Sequence, residues 1–133
     1  MPLLHLHLAG TPATAAQRST LQSGLTRLMA ERLGKRADLT VVAIQQTPAA
    51  HWSVGGAALP DQAWSASLQA HVTAGTNTPD EQAAFIAAAH RLLVDTLQAP
   101  AGAPVYVIVH AVPATNWGYD GRTQADRRPP PRA

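Results

Sequence analysis

Met1-Pro2 opens the chain, and trimming there would create a reactive group that no side chain supplies. Met before a small residue such as Pro is the usual substrate for removal. Loss of Met1 would leave a secondary amine, and an ordinary α-amino group titrates at about pH 7.7–8.0. Taken alone, the pair carries no assignment. The chain has no cysteine, which excludes disulfides, thiolate metal sites and thiol catalysis. His5, His7 and His71 fall in segments that read as strands. A metal site needs converging ligands, and His5 with His7 is a weak pair, so these read as interior polar residues and no metal site is expected. His51 and His110 read as surface or rim residues.

The elements that must position these groups follow from periodicity. Leu4, Leu6 and Leu8 alternate with His5 and His7, the pattern of a half-buried strand. Thr14 and Gln17 have capping-box spacing, and Leu21, Leu25, Leu28, Met29 and Leu33 then recur at helical intervals up to Gly34. Leu39 to Ile44 is β-branched and short, a second strand with mostly buried neighbours. Ser67 to Thr73 reads as a strand. Thr78-Pro79-Asp80-Glu81 is a strong helix start, with Ile86, Leu93, Val94 and Leu97 as its apolar stripe and His90 in line. Pro100 to Pro104 ends that helix, and Val105 to Val109 is the last strand expected.

These two runs are one programme repeated at an offset of 65 residues without a gap. Gly75 falls on Gly10, Leu93 on Leu28, Pro113 on Pro48, Trp117 on Trp52 and Gly121 on Gly56. The segment from Ala57 to Ala66 reads as the join. Each copy is a β-α-β unit, whose crossover makes its strands parallel. The expected fold is α/β (α+β): two tandem units forming a four-stranded sheet with two helices on one face. Residues 1–62 and 63–125 form the two units of one compact domain, and 126–133 is a disordered Pro/Arg tail.

Composition bounds the partners. With 133 residues and 46% apolar side chains, the chain can bury a core. Aromatics are only 5%, and Ala supplies much of the rest, so the thin core calls for oligomerisation. Three of the ten basic residues, Arg127, Arg128 and Arg132, sit in the tail, and charges balance before Asp126. That argues against a nucleic-acid face. Neither a signal peptide nor a membrane span is visible, so a cytoplasmic protein without a membrane partner is expected.

The ordered set resembles the tautomerase superfamily typified by 4-oxalocrotonate tautomerase. It comprises Met1-Pro2 opening a strand, Gly10, a helix to Leu33, the strand Val41 to Ile44, and Trp52 before Gly55-Gly56. Asn116-Trp117 to Gly121 resembles the same closing hairpin in the second copy. The resemblance extends to fused members, whose chains carry two units and assemble as trimers. It implies a homotrimer and proton transfer by Pro2 on a small carbonyl substrate, with no cofactor. A neutral amine can take a proton from carbon beside a carbonyl and return it elsewhere. It can also attack a carbonyl to form an iminium.

The sequence also departs from that family. Its carboxylate-binding arginines fall on Thr11 and Val41, and in the second copy on Thr76 and Tyr106, so a dicarboxylate handled in the usual way is not expected. Asp38 sits where related malonate semialdehyde decarboxylases keep an acid, while Thr76 and Thr78 replace their arginines. It reads as that acid or as a solvated loop residue. Trp52 matches the aromatic that would wall the Pro2 site, or it is a core aromatic closing the hairpin. Trp117 would wall the equivalent pocket of the second copy, where Ser67 replaces the proline. Arg122 is a candidate anion binder for a neighbour's pocket. The alternatives are a decarboxylase-like or dehalogenase-like activity, or a non-catalytic oligomeric binding protein.

Overall fold

Each repeat folds as a strand, a helix, a second strand and a short hairpin, in a computed structural model that describes residues 2–98 and 104–127. The first repeat holds β1 (Leu3–Gly10), α1 (Ala15–Leu33), β2 (Val41–Thr47) and the hairpin β3 (Ser53–Val54) and β4 (Ala57–Ala58). The second holds β5 (Trp64–Thr73), α2 (Pro79–Leu97), β6 (Tyr106–Val112) and the hairpin β7 (Gly118–Tyr119) and β8 (Arg122–Thr123). A final turn of helix, α3 (Gln124–Arg127), follows.

Both helices start at the capping boxes read from sequence. Thr14 Oγ1 accepts from the Gln17 N–H at 3.1 Å, and Gln17 Oε1 accepts from the Thr14 N–H at 2.9 Å. Thr78 and Glu81 repeat the exchange at 3.1 and 2.8 Å. Each box satisfies two backbone donors that the first helical turn leaves orphaned.

The four long strands form one sheet in the order β2-β1-β5-β6. Within each repeat the strands are parallel, from Leu3↔Val41 to Ala9↔Thr47 and from Ser67↔Tyr106 to Thr73↔Val112. Between repeats β1 and β5 run antiparallel, from Leu3↔His71 to Gly10↔Trp64. One face carries both helices. Leu4, Leu6, Leu8, Leu68 and Ala70 from the strands meet Leu21, Leu25 and Met29 of α1 and Phe85, Ala89 and Leu93 of α2 in a single core. Burying a Leu or Phe side chain contributes about 1.5–3 kcal/mol. The helices cross closely at Gly24, where a Cβ would come within 2.7 Å of a Leu92 methyl.

The other face holds His5, His71 and His110. His71 stacks on His110 with ring centroids 4.7 Å apart and meets the edge of His5 at 5.9 Å. No group of three or more metal-ligating side chains converges among the described residues.

Several expectations are corrected. β2 is an edge strand in the single chain, and Val41 is 41% exposed, so its surroundings are not mostly buried. Leu39 belongs to a short helical turn, and β2 starts at Val41. β5 starts at Trp64 rather than Ser67, and β4 takes up Ala57–Ala58, so much of the expected join is sheet. On α2 the buried stripe is Phe85, Ala89 and Leu93, while Ile86 and His90 face out. The small Ala89 carries that stripe, which a search for large apolar residues passes over. Asp126 and Arg127 lie in α3, not in a tail. Most of the expected helix stop from Pro100 to Pro104, and Arg128 to Ala133, lie outside the described residues.

Candidate active site

Pro2 is buried at the mouth of β1. Its carbonyl accepts from the Val41 N–H at 3.1 Å, which ties the chain start to β2. Beside it lies a cavity of about 190 Å³. Pro2, Leu3 and Val41 form one side. Trp117, Gly118, Tyr119 and Gln124 form the other. The lining is mostly apolar and includes no carboxylate, Lys, Arg or His.

The topology explains why the second repeat supplies half of this cavity. β6 runs parallel to β5, and β5 runs antiparallel to β1, so β6 ends where β1 begins. The hairpin after β6 therefore covers the Pro2 end of the sheet. Gly118 makes that hairpin tight, because a Cβ there would collide with the Arg122 carbonyl oxygen. The turn α3 is tied to the hairpin by Gln124 N–H donating to Trp117 O and Ala125 N–H donating to Ala114 O, each at 2.9 Å. Gln124 is thereby held at 8% exposure against the cavity.

Arg127 lies behind this wall. Its guanidinium carbon sits 3.8 Å from the Tyr119 ring centroid, and Nη2 donates to the Tyr119 carbonyl at 3.0 Å. Its buried Nε has no hydrogen-bond partner among the described residues, nor has the Trp117 indole N–H.

The residues singled out from sequence divide sharply. Pro2 and Trp117 share the cavity, although Trp117 was expected at the second copy's pocket. Trp52 does not line the cavity: it follows β2 at the end of the sheet beside Ala9, away from Pro2. Thr11 also lies at that far end, donating from its backbone to Ala63 O at 3.1 Å and lining a small cavity of about 60 Å³ with Gln17 and Trp64. Asp38 is an exposed ion pair with Arg36, at 2.7 Å. Arg122 is held within its own chain by donating to Asp126 O at 3.0 Å, and lines a shallow groove of about 310 Å³ with Trp117 and Gly118. Tyr119, Gln124 and Arg127 were not picked out. The repeat offset pointed to their hairpin, but only the antiparallel β1·β5 pairing shows which proline it covers.

A family model described as tautomerase enzyme matches residues 2–62 and again 69–127. The chain belongs to the tautomerase family. The first matched block spans β1 to β4, and the second runs from within β5 to the end of α3. The probable tautomerase K2 of Dickeya dadantii (strain 3937) is 31% identical over 67 residues, which is 50% of this chain and 100% of that protein. The crystal structure of a native fused 4-OT superposes with a TM-score of 0.81 at 24% identity, covering 93% of this chain and 97% of that one. A second fused 4-OT, solved as an asymmetric trimer, gives 0.80 at 22% identity, over 94% and 98% of the two chains. A member of the cis-3-chloroacrylic acid dehalogenase family gives 0.72 at 16% identity, over 90% and 82%. The sheet with two helices on one face is thus the tautomerase fold, with two units fused in one chain.

Proposed function

We propose that this tautomerase-family chain is an enzyme in which Pro2, freed by removal of Met1, transfers a proton on a small enolisable carbonyl compound bearing an apolar substituent. The observation that carries this reading is the burial of Pro2 beside an open, mostly apolar cavity. A pocket filled by side chains would have favoured a scaffold that had lost its site.

In this reading the neutral Pro2 nitrogen takes the proton of an enol oxygen. The oxygen lone pair re-forms C=O, and the C=C pair takes a proton from the resulting ammonium at carbon. Proton and electrons balance, and no cofactor is required. An apolar lining disfavours the charged amine, so it holds Pro2 in the form that acts as a base near neutral pH. Trp117 and Tyr119 limit water at the reacting atoms. Thr11, Val41, Thr76 and Tyr106 replace the arginines of the usual dicarboxylate grip, and the lining adds no cation. A substrate with at most one carboxylate and an apolar or aromatic group fits this cavity.

We further read the half-buried outer sheet face as the contact that builds a homotrimer, as in the fused 4-OT relatives solved as trimers. Ser67, in mid-strand, offers no amine, so the second repeat shapes the first repeat's site rather than forming its own. No helix among the described residues is long and apolar enough to cross a membrane; a cytoplasmic setting is part of this proposal.

The test is ketonisation of phenylenolpyruvate, followed by loss of enol absorbance. Wild-type protein should accelerate it, and Pro2→Ala should return the rate to background. Equal rates for the two proteins would end the reading.

A further inference from the structure

Among the described residues, Arg127 is a cation without a counter-ion: it has no carboxylate partner, and its Nε is buried without a hydrogen bond. A guanidinium in that state is costly unless something holds it. Tyr119 does so twice, through its ring at 3.8 Å and its carbonyl at 3.0 Å. Tyr119 also lines the Pro2 cavity, as does Gln124, three residues before Arg127 in the same helical turn. Residues three apart in a helix share a face. The positive charge therefore stands one side chain behind the cavity wall.

We propose that Arg127 is a positioning residue for Pro2: it fixes Tyr119 as a wall of the cavity, and its positive charge holds the Pro2 amine in its neutral form. This rests on Pro2 being a free amine, as argued above. The mechanism is like-charge repulsion, since a nearby cation disfavours a second positive charge.

The other charged groups near Pro2 among the described residues do not supply that charge: Arg36, in the loop before β2, is exposed and paired with Asp38 at 2.7 Å, and Asp120 in the hairpin turn is exposed. β2 contributes only Val41 to the cavity. From β5, His71 Nδ1 lies 3.3 Å from the Leu3 carbonyl, with His110 of β6 stacked on it and His5 of β1 at its edge. The hairpin brings the Tyr119 phenol and Arg122, whose guanidinium is tied to the Asp126 carbonyl on the groove side. The Asp126 side of α3 is exposed.

Alkylation by iodoacetamide reads the amine without any need for turnover. The neutral nitrogen attacks the CH₂ carbon, iodide leaves and the ammonium proton passes to water. The chain has no cysteine to consume the reagent, and its single lysine, Lys35, is an internal reference. Mass spectrometry of the N-terminal peptide across pH gives the midpoint for Pro2. Arg127→Met should move that midpoint up by about 0.5 unit or more and leave the Lys35 midpoint in place. Arg127→Lys, which keeps the charge, should stay near wild type. Coincident Pro2 midpoints for wild type and Arg127→Met would overturn the inference while leaving Pro2 as the base. A wild-type chain that retains Met1 would show no Pro2 alkylation and would overturn both. Loss of the fold in both variants would also overturn it, because Arg127 would then serve stability alone.

Discussion

Trp117 and Pro2 line one cavity from opposite repeats. The aromatic that equals Trp52 by sequence offset is the one that reaches the proline, because β1 and β5 run antiparallel and each hairpin ends over the other repeat's first strand.

It follows that the two tryptophans are not interchangeable. Trp117→Ala should open the Pro2 cavity to water and lower kcat/KM for an enol substrate by about tenfold or more, a loss of about 1.4 kcal/mol in transition-state stabilisation. Trp52→Ala should cost clearly less. Steady-state rates of the two variants decide it, and the reverse order would refute the exchange of hairpins.

Gly118 offers a narrower probe. A methyl group there would strike the Arg122 carbonyl, so Gly118→Ala should shift the hairpin and displace Trp117 and Tyr119. The core lies elsewhere, so circular dichroism should show an intact fold while ketonisation falls. Unchanged activity would mean that the hairpin does not shape the site.

Asp38 should be dispensable. Its partner is Arg36 and both are exposed, at 63% and 71%. Exposed pairs contribute about 0–1 kcal/mol. Asp38→Asn should keep both the melting temperature and the activity close to wild type. A large loss of activity would revive the decarboxylase-like reading.

The second helix has a pH signature. The Glu81 carboxyl is held below its ordinary value of 4.5, chiefly by the backbone N–H of Thr78, with burial opposing the shift. A depressed carboxylate stabilises the fold above its unfolded value, and that contribution is lost as pH falls through the folded value. Glu81→Gln should therefore destabilise the protein near neutrality, and the gap should close in the acid range below 4.5. Thr78→Ala removes the cap itself and should cost about 1 kcal/mol in chemical unfolding.

Much of the fold was legible because its signals are local. Leu4, Leu6 and Leu8 alternate, Thr14 and Thr78 open capping boxes, and Gly34 ends α1 with φ of 68°. The repeat was legible because Gly, Pro and Trp recur in order. The α2 stripe was misplaced because Ala89 carries it, and composition alone does not mark an alanine as core. Trp64 to Ala66 joined β5 unseen, since the residues before a predicted strand show no periodicity of their own.

The site was less legible for a physical reason. Pro2 and Trp117 each stood out, yet their meeting depends on the sense in which two strands pair, and neither strand's pattern encodes that sense. Arg127 was hidden by composition: DRRPPPRA reads as a solvated tail, and the ring and carbonyl of Tyr119 give its first arginine a place.

The central claim is that Pro2 acts as a free amine in this cavity. The mass of the intact purified protein tests it most directly. The account predicts a chain that begins at Pro2, with Met1 absent. A protein that retains Met1 has an amide at Pro2, without a basic nitrogen, and would contradict it.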